Sequence, residues 1–465
     1  MSRRRSWLRG GVAAGALSLL GALPAWAESL SDALVHAYRS SPSLEQQELL
    51  LRVTDEDVAV AVAALRPTLN FQANYTKSVI FDQFSTRTTT TTGTLSLILD
   101  YTLADGGQRH MRLSAAKEAV LAARYRLIQF EQGVLLDAVN AYLNLRLAAR
   151  TVDVRESNVR LINQQLTAAR DRFEVGEVTR TDVALAESRL AAARSALAAA
   201  RGEVDVQSEV YRLTIGRLPQ GGLQAPPSLP ELPPSVDRAQ QLALQIHPLI
   251  SAGQHDIASL TQLADAAAAD RLPSVELRGT AQRTRPDNDT LSLGVTGNIP
   301  IYTGGRLPAL QRRAIAQAQA SRSALGQTSR EIVEGVGRAW AGLEVARAQI
   351  TATRQGVRSA QLAFEGFREE AQLGARTTLD VLDAEQELLL ARVDQLQAET
   401  DAQIAVYSVL ASIGLLTTDH LGLTVERYDP TDYYNAVSNA PRTPIETRSE
   451  RGNRLDSVLQ RFGRN

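Results

Sequence analysis

The segment FEVGEVTRTDV at residues 173–183 recurs as AQLGARTTLDV at residues 371–381, 198 positions further along the chain. The same shift brings the pair Gly106-Gly107 onto Gly304-Gly305. Two unrelated alanine-rich helical sequences would rarely match glycines, aromatic residues and a Thr-x-x-Asp motif at a single shift. We therefore interpret the chain as two copies of one structural unit.

This duplication organises the 465 residues. Each copy is predicted to contain an opening helix, two strands and a long helical hairpin, and a connector rich in proline separates the copies. The predicted segments are a signal peptide at 1–27, the first repeat at 28–216, the connector at 217–236, the second repeat at 237–416 and a polar, largely disordered tail at 417–465.

The N-terminus has the features of an export signal. Several arginines precede an apolar stretch, and Ala25-Trp26-Ala27 fits a cleavage site between small residues. After this signal the sequence has no run of about 20 apolar residues, the length that a membrane-spanning helix requires. If the mature protein crosses a membrane, it must therefore do so as a closed β-barrel.

The composition excludes several classes of function. Basic and acidic residues balance, at 50 and 51, so there is no basic field for nucleic acid. Cysteine is absent and the five histidines are scattered, which argues against a metal site. We also find no catalytic constellation and no phosphate-binding loop. The sequence therefore predicts neither an enzyme nor a bound cofactor.

Four segments alternate between apolar and polar residues, which predicts strands with one apolar and one polar face. They are 69–76 and 95–103 in the first copy and 275–278 and 291–299 in the second. A soluble, half-buried sheet gives the same pattern, but the export signal favours a lipid-facing barrel with a polar lumen. Between the first two strands the first copy has eight extra residues, which predict an extended loop containing residues 88–92.

Four strands are too few to close a barrel, and open edges in lipid would leave backbone groups unpaired. Copies of the chain must therefore share one barrel. Two copies would give eight strands, a barrel filled by its own side chains, whereas three would give twelve strands and room for an aqueous pore. Transport therefore favours a homotrimer.

The helical segments predict a long antiparallel coiled coil. Residues 109–173 contain no proline and have apolar residues at heptad spacing, which predicts a rod of about 100 Å. The return helix at 181–215 is half as long, and the opening helix at 31–65 has the missing length. Stacked end to end, the two short helices would match the long one. The alternative for these helices is a dimeric or intramolecular coiled-coil stalk without a pore.

The two hairpin tips carry the candidate site residues. Gly176 and Gly374 end the outgoing helices, and Asp182 and Asp380 stand in the first turn of the returning ones. Asp383 shares a helix face with Asp380, so a trimer would stack two acidic rings in the pore. We expect these rings to favour cations.

The tip segments, the duplicated plan and the Gly-Gly turn after the strands resemble the TolC outer-membrane efflux family over residues 28–416. The segments SLSDAL at 29–34 and RPTL at 66–69 resemble its type I secretion branch most closely. The resemblance implies a mainly α fold, in which long coiled-coil helices form a periplasmic α-barrel. Four β-strands per chain would contribute to a trimeric, 12-stranded transmembrane β-barrel.

The family resemblance also implies roles for the tip residues. Arg376 would bond Thr181 and Asp182 to close a periplasmic gate, and Asp380 with Asp383 would line the constriction. Ala371 stands where the family has a gate tyrosine, which implies a looser or differently latched gate. The turns that would contact an adaptor protein are Val175, Gly176 and Glu177 in the first tip and Leu373, Gly374 and Ala375 in the second.

The resemblance finally implies a location and partners. The chain would be a passive exit duct in the outer membrane of a Gram-negative cell, in contact with lipid and continued by a periplasmic tunnel. It would serve type I secretion or tripartite efflux, with a periplasmic adaptor and an inner-membrane pump of the ABC or RND type. The alternative is a secreted or surface coiled-coil stalk or adhesin without a channel.

Overall fold

The computed structural model describes residues 27–81, 87–226, 229–285 and 288–440. The predicted signal peptide, apart from Ala27, and the end of the predicted tail at 441–465 lie outside these residues.

The described chain repeats one order of elements, as predicted. The first copy comprises α1 (Leu30–Ser40), α2 (Pro42–Ala63), β1 (Thr68–Phe81), β2 (Arg87–Ala104), α3 (Gln108–Glu174) and α4 (Arg180–Ile215). The second comprises α5 (Val236–Ile246), α6 (Pro248–Ala269), β3 (Ser274–Arg285), β4 (Asn288–Asn298), α7 (Arg306–Gln372) and α8 (Thr378–Ile413), and α9 (Pro430–Val437) follows. The mainly helical fold class with four strands is thereby confirmed.

The opening helix of each copy is divided in two, where the sequence predicted one continuous helix over 31–65. The break falls before Pro42 in the first copy and before Pro248 in the second. Proline lacks a backbone N–H and clashes with the preceding turn, so it is tolerated only as the first residue of a new helix. The Ser41 side chain caps that new helix by accepting from the Leu44 backbone N–H.

The short helices stack end to end along the long one, as predicted. The carbonyl of Ile215, at the end of α4, accepts hydrogen bonds from His36 Nδ1 at 2.6 Å and from Ser40 Oγ at 2.7 Å, both in α1. The long helices α3 and α7 have 67 residues each, a length of about 100 Å. Helix α6 packs against both of them and so joins the two copies. Among the described residues, none of the helices combines the length and the apolar composition that crossing a membrane requires.

The largest buried cluster lies where the chain start, the connector and the helices meet. Tyr142 of α3 is fully buried in this cluster, and its hydroxyl lies 2.8 Å from the Glu28 carbonyl and 3.0 Å from the Gln224 carbonyl. A parallel β-bridge between Glu28 and Leu223 holds the same two segments together. The connector is therefore anchored, although its prolines prevent a helix.

The four strands form one antiparallel sheet in the order β1-β2-β3-β4. Pairing across it places Phe71, Leu97, Ala281 and Leu291 in one row, and Gln72, Ser96, Gln282 and Thr290 in the next. The alternation predicted from sequence therefore runs across all four strands, giving an apolar face and a polar face. Phe71 is 70% exposed and Leu291 is 86% exposed, so none of the described residues covers the apolar face.

The loop predicted for the first copy does not include residues 88–92. Residues 88–92 belong to β2, where Thr88 pairs with Ile80 and Thr92 with Thr76. Threonine is β-branched and favours strands, so the insertion lengthens the hairpin. As a result, β1 and β2 extend beyond the end of β3, whose pairing with β2 begins at Gly93.

The first part of the predicted disordered tail is ordered. Residues 417–440 pack on α2 and α3, and Arg52 of α2 lies over the rings of Tyr428 and Tyr433 at 5.4 and 5.3 Å. Tyr433 also donates to Glu56 at 2.7 Å. Stacking of arginine on tyrosine and charge-assisted hydrogen bonds add to the packing of Leu421 and Leu423 against the largest buried cluster, and composition alone does not reveal these contacts.

Candidate functional site

The first tip is a tight turn held by a capping box. Helix α3 ends at Glu174, and Gly176 adopts a positive φ of 79°, which glycine accepts without strain. Thr179 caps α4, and its backbone N–H and hydroxyl donate to Asp182 Oδ2, both at 2.8 Å. The Asp182 carboxylate is therefore part of the capping box that starts α4.

The second tip repeats this geometry. Gly374 has a φ of 77°, and Thr377 donates to Asp380 Oδ2 from its backbone N–H at 3.0 Å and from its hydroxyl at 2.8 Å. These hydrogen bonds, together with the nearby Arg376, hold the pKa of Asp380 below its ordinary value. The Asp380 carboxylate therefore stays charged at neutral pH.

Arg376 is held by its own tip. Its Nε donates to Glu370 Oε2 at 2.9 Å, and its guanidinium lies 4.5 Å from the centre of the Phe367 ring. Within one described chain, the predicted bonds from Arg376 to Thr181 and Asp182 are not formed. The physical reason is that Glu370, six residues before Arg376 in the same tip, is within reach of the guanidinium and accepts from it instead. Bonds between copies stay a prediction.

Asp383 has a partner that the sequence analysis missed. Arg189 of α4 donates to Asp383 Oδ1 at 2.6 Å, and both side chains are about half exposed. This ion pair links the two coiled coils and partly compensates the charge of Asp383. The sequence contains a clue to this pair in the comparison of the two copies. Asp383 aligns with Leu185 and Arg189 aligns with Glu387, so both members of the ion pair stand at positions where the two copies differ in charge.

A buried hydrogen bond also links the two coiled coils and was not predicted. Asn158 of α3 donates from Nδ2 to Glu385 Oε1 of α8 at 2.8 Å, and Glu385 is only 3% exposed. Around this bond, Leu382 packs with Ile162 and Leu166 of α3. Burial raises the pKa of Glu385 to about 7. The aligned Glu187 of the first copy instead forms an exposed ion pair with Arg170 at 2.5 Å.

Replacing Glu385 with glutamine should remove a pH dependence of stability. A carboxyl whose pKa is raised on folding stabilises the protein at low pH, and this contribution is lost as pH rises from about 4.5 to about 7. We therefore compare the change in apparent melting temperature between about pH 5 and about pH 8 in the two proteins. The melting temperature of the wild type should fall by several degrees more than that of Glu385→Gln. Circular dichroism melts at both pH values measure this difference. The matched control Glu187→Gln, in an exposed ion pair, should keep the wild-type pH dependence. Parallel melting curves for wild type and Glu385→Gln would contradict the burial argument.

The turns between the helices project into solvent. Val175 is 71% exposed and Leu373 is 85% exposed, and the glycines that follow each are exposed as well. Glu177 and Ala375 complete the two exposed turns. The six residues predicted to contact an adaptor are therefore accessible, although contact itself stays a prediction.

An exposed apolar sheet face, joined to helical rods about 100 Å long that end in charged tips, defines a subunit of a membrane channel. The chain belongs to the outer membrane efflux protein family, whose sequence model matches residues 33–216 and 239–415. These two ranges correspond to the two repeats. The chain is therefore an outer-membrane channel protein, and the alternative of a stalk without a channel is not favoured.

Individual relatives agree with this assignment. The chain is 36% identical to the outer membrane efflux protein BepC of Brucella suis over 422 residues, covering 89% of this chain and 91% of that protein. It is 24% identical to the proteases secretion protein PrtF of Dickeya chrysanthemi over 402 residues, covering 81% and 86%.

Solved structures share the fold. The crystal structure of CusC superposes with a TM-score of 0.74 at 20% identity, covering 83% of this chain and 92% of that one. The open state of the MtrE outer membrane channel of Neisseria gonorrhoeae superposes with a TM-score of 0.70 at 20% identity, covering 84% and 90%.

Proposed function

We propose that three copies of this chain form a passive exit duct, which receives substrate from an inner-membrane pump through a periplasmic adaptor. The observation that carries the proposal is the four-stranded sheet, in which β1 and β4 each pair on one side only within the described residues. Open edges in lipid are costly, and three sheets of four strands supply the twelve that an aqueous barrel needs.

The partners follow from the passive nature of the duct. A channel supplies no energy, so a pump must drive transport, and we propose an ABC or RND-type pump joined through the exposed turns at Val175 and Leu373. Relatives named for efflux and for protease secretion support both tripartite efflux and type I secretion as roles. We propose no enzymatic activity and no cofactor for the chain itself.

The tips supply a gate in this proposal. Each copy would bring Asp380 and Asp383 to the constriction, and Glu370 and Phe367 hold the Arg376 side chain at the second tip. In the assembled trimer, Arg376 would also reach Thr181 and Asp182 of a neighbouring copy. Because Asp182 is already the capping partner of Thr179, that contact would add a second bond to a carboxylate whose position is set.

Replacing Arg376 with alanine should open the duct. Exposed ion pairs contribute little singly, but the loss occurs three times around one constriction, so we expect single-channel conductance to rise about twofold or more. Protein purified from outer membranes and inserted into planar lipid bilayers provides the measurement. The control is Arg347→Ala, which removes an exposed pair with Glu344 on α7 away from the tip.

The same recordings test the function itself. Wild-type protein should conduct, and Arg347→Ala should conduct equally. Equal conductance of Arg376→Ala and wild type would reject the gate but not the duct. Recovery of the wild type from the soluble or shed fraction, with no conductance, would reject the duct and favour a stalk.

A further inference from the structure

The two faces of the sheet carry different charges. Among the described strand residues, the face that carries Phe71 and Leu97 has four basic residues and one acidic residue. They are Lys77, Arg87, Arg283, Arg285 and Asp289. The opposite face has Asp100, Glu276 and Arg278, and Arg278 Nε donates to Asp100 Oδ1 at 2.6 Å. The apolar face is therefore also the net basic face.

The basic residues of the apolar face lie at one end of it, the end distant from the helices. Arg283 pairs across from Leu95, Arg285 across from Gly93, and Lys77 across from Thr91. Neighbouring strands are about 4.8 Å apart and alternate residues about 6.6 Å, so the three Cα atoms lie within about 16 Å of one another. We call Lys77, Arg283 and Arg285 the distal basic cluster.

Only part of the charge of this cluster is compensated nearby. Asp289 of β4 accepts two hydrogen bonds from Arg283, from Nε at 2.9 Å and from Nη2 at 2.8 Å. Lys77 and Arg285 are exposed on the same face. The cluster therefore keeps a positive charge directed away from the polar face.

The position of the cluster along the strands matches a membrane boundary. Tyr75 lies in the row of Gly93, and Tyr101 lies eight positions along β2 from that row, roughly 27 Å away along the strand. An outward apolar band about 25 Å tall, bounded by aromatic residues, is typical of transmembrane barrels. Between these rows the face holds mainly leucine, together with alanine, Phe71 and Gly279, and the Arg283–Asp289 pair lies in the first row inside that of Tyr75. The distal basic cluster therefore lies at the row of Tyr75 and on either side of it.

A basic side chain at the membrane boundary can be stabilised by lipid headgroups, whereas one in the middle of the membrane cannot. Charged side chains are costly within the hydrocarbon, but long basic side chains reach the headgroup region. Guanidinium and ammonium groups bind phosphate oxygens by charge-assisted hydrogen bonds. The proposed function places the hairpin ends, and so the cluster, at the outer surface of the membrane.

We propose that the distal basic cluster binds phosphate groups of outer-leaflet lipids, with Lys77 and Arg285 as the main contacts. This inference rests on the proposed function, because it requires the apolar face to meet lipid. Arg283 is expected to contribute less, since Asp289 already accepts from it. The cluster borders the apolar band, and this favours a lipid over a soluble anion as the ligand. The acyl chains of a lipid would pack on the leucines while its phosphate binds the basic side chains.

The test compares one lipid with and without its phosphates. Full-length protein in non-ionic detergent is titrated with an acylated glucosamine disaccharide that carries two phosphates, and the apparent melting temperature is followed. We expect the phosphorylated lipid to raise the melting temperature of the wild type, and its dephosphorylated form and inorganic phosphate to have little effect. In Lys77→Gln/Arg285→Gln, which leaves the Arg283–Asp289 pair intact, the half-saturating lipid concentration should rise by on the order of tenfold.

The matched control is Arg278→Gln, on the same strand but on the polar face, which should respond like the wild type. An equal response of the double variant and the wild type would overturn the proposal. So would an equal effect of the dephosphorylated lipid, which would indicate apolar contact alone, or of inorganic phosphate, which would indicate a soluble-anion site. Conductance in zwitterionic phosphatidylcholine bilayers separates the two proposals: it should be unchanged in the double variant, and its absence in the wild type would refute the duct instead.

Discussion

Replacing both Asp380 and Asp383 with asparagine should shift the ion selectivity of the channel toward anions. Carboxylates at a narrow constriction raise the local concentration of cations, and the trimer would bring six of them together. Asparagine keeps an oxygen that accepts from the Thr377 backbone N–H, so the capping geometry is preserved while the charge is lost. We expect the cation-to-anion permeability ratio to fall severalfold, which the reversal potential in a salt gradient measures.

The two aspartates should contribute unequally to that shift. Asp383 pairs with Arg189 at 2.6 Å, whereas the hydrogen bonds of Asp380 come mainly from Thr377. We therefore expect Asp380→Asn alone to have a larger effect than Asp383→Asn alone. Asp32→Asn, at the capping box of α1, tests whether loss of a cap charge is sufficient. An unchanged reversal potential in the double variant would reject the assignment of the acidic rings.

Replacing Gly414 with alanine should strongly destabilise the protein. Gly414 ends α8 with a φ of 96°, and a Cβ there would lie 2.9 Å from Pro248 Cδ and 3.1 Å from His247 Cα. The left-handed backbone and the crowding against these neighbours together cost about 3 kcal/mol. The apparent melting temperature, measured by loss of helical circular dichroism in detergent, should fall by several degrees.

Gly374 provides the matched control for Gly414. It also has a left-handed backbone, with a φ of 77°, but an added Cβ would meet no atom of the described residues within 4 Å apart from its chain neighbours. Gly374→Ala should therefore cost only about 1 kcal/mol, the backbone part of the effect. Similar melting temperatures for the two variants would show that the contact between α8 and α6 does not constrain the fold as described.

Regular elements could be predicted from the sequence because their signals are local and repeated. Heptad spacing without proline predicted a helix over 109–173, and α3 spans Gln108–Glu174. Alternation predicted the strands, and the register confirms that one face is apolar across all four. The opening helix was predicted without its break because the apolar pattern continues through Pro42. Pro42 itself indicates the break, since proline favours the first position of a helix.

Long-range contacts were harder to predict, since no local pattern encodes them. The docking of residues 417–440 depends on Arg52 of α2 meeting Tyr428 and Tyr433, which are distant in sequence. Arg376 has several acidic residues within reach, and only the geometry of the turn selects Glu370. The buried Asn158–Glu385 bond was missed because a glutamate on a long helix is usually exposed, as Glu187 is.

In a trimeric duct, the edge strands β1 and β4 of each four-stranded sheet must pair with the edge strands of the neighbouring copies. The decisive quantity is the mass of the detergent-solubilised particle, measured by native mass spectrometry on protein extracted from outer membranes. We predict a particle of three chains. A particle of one chain, stable in water without detergent, would contradict the shared barrel.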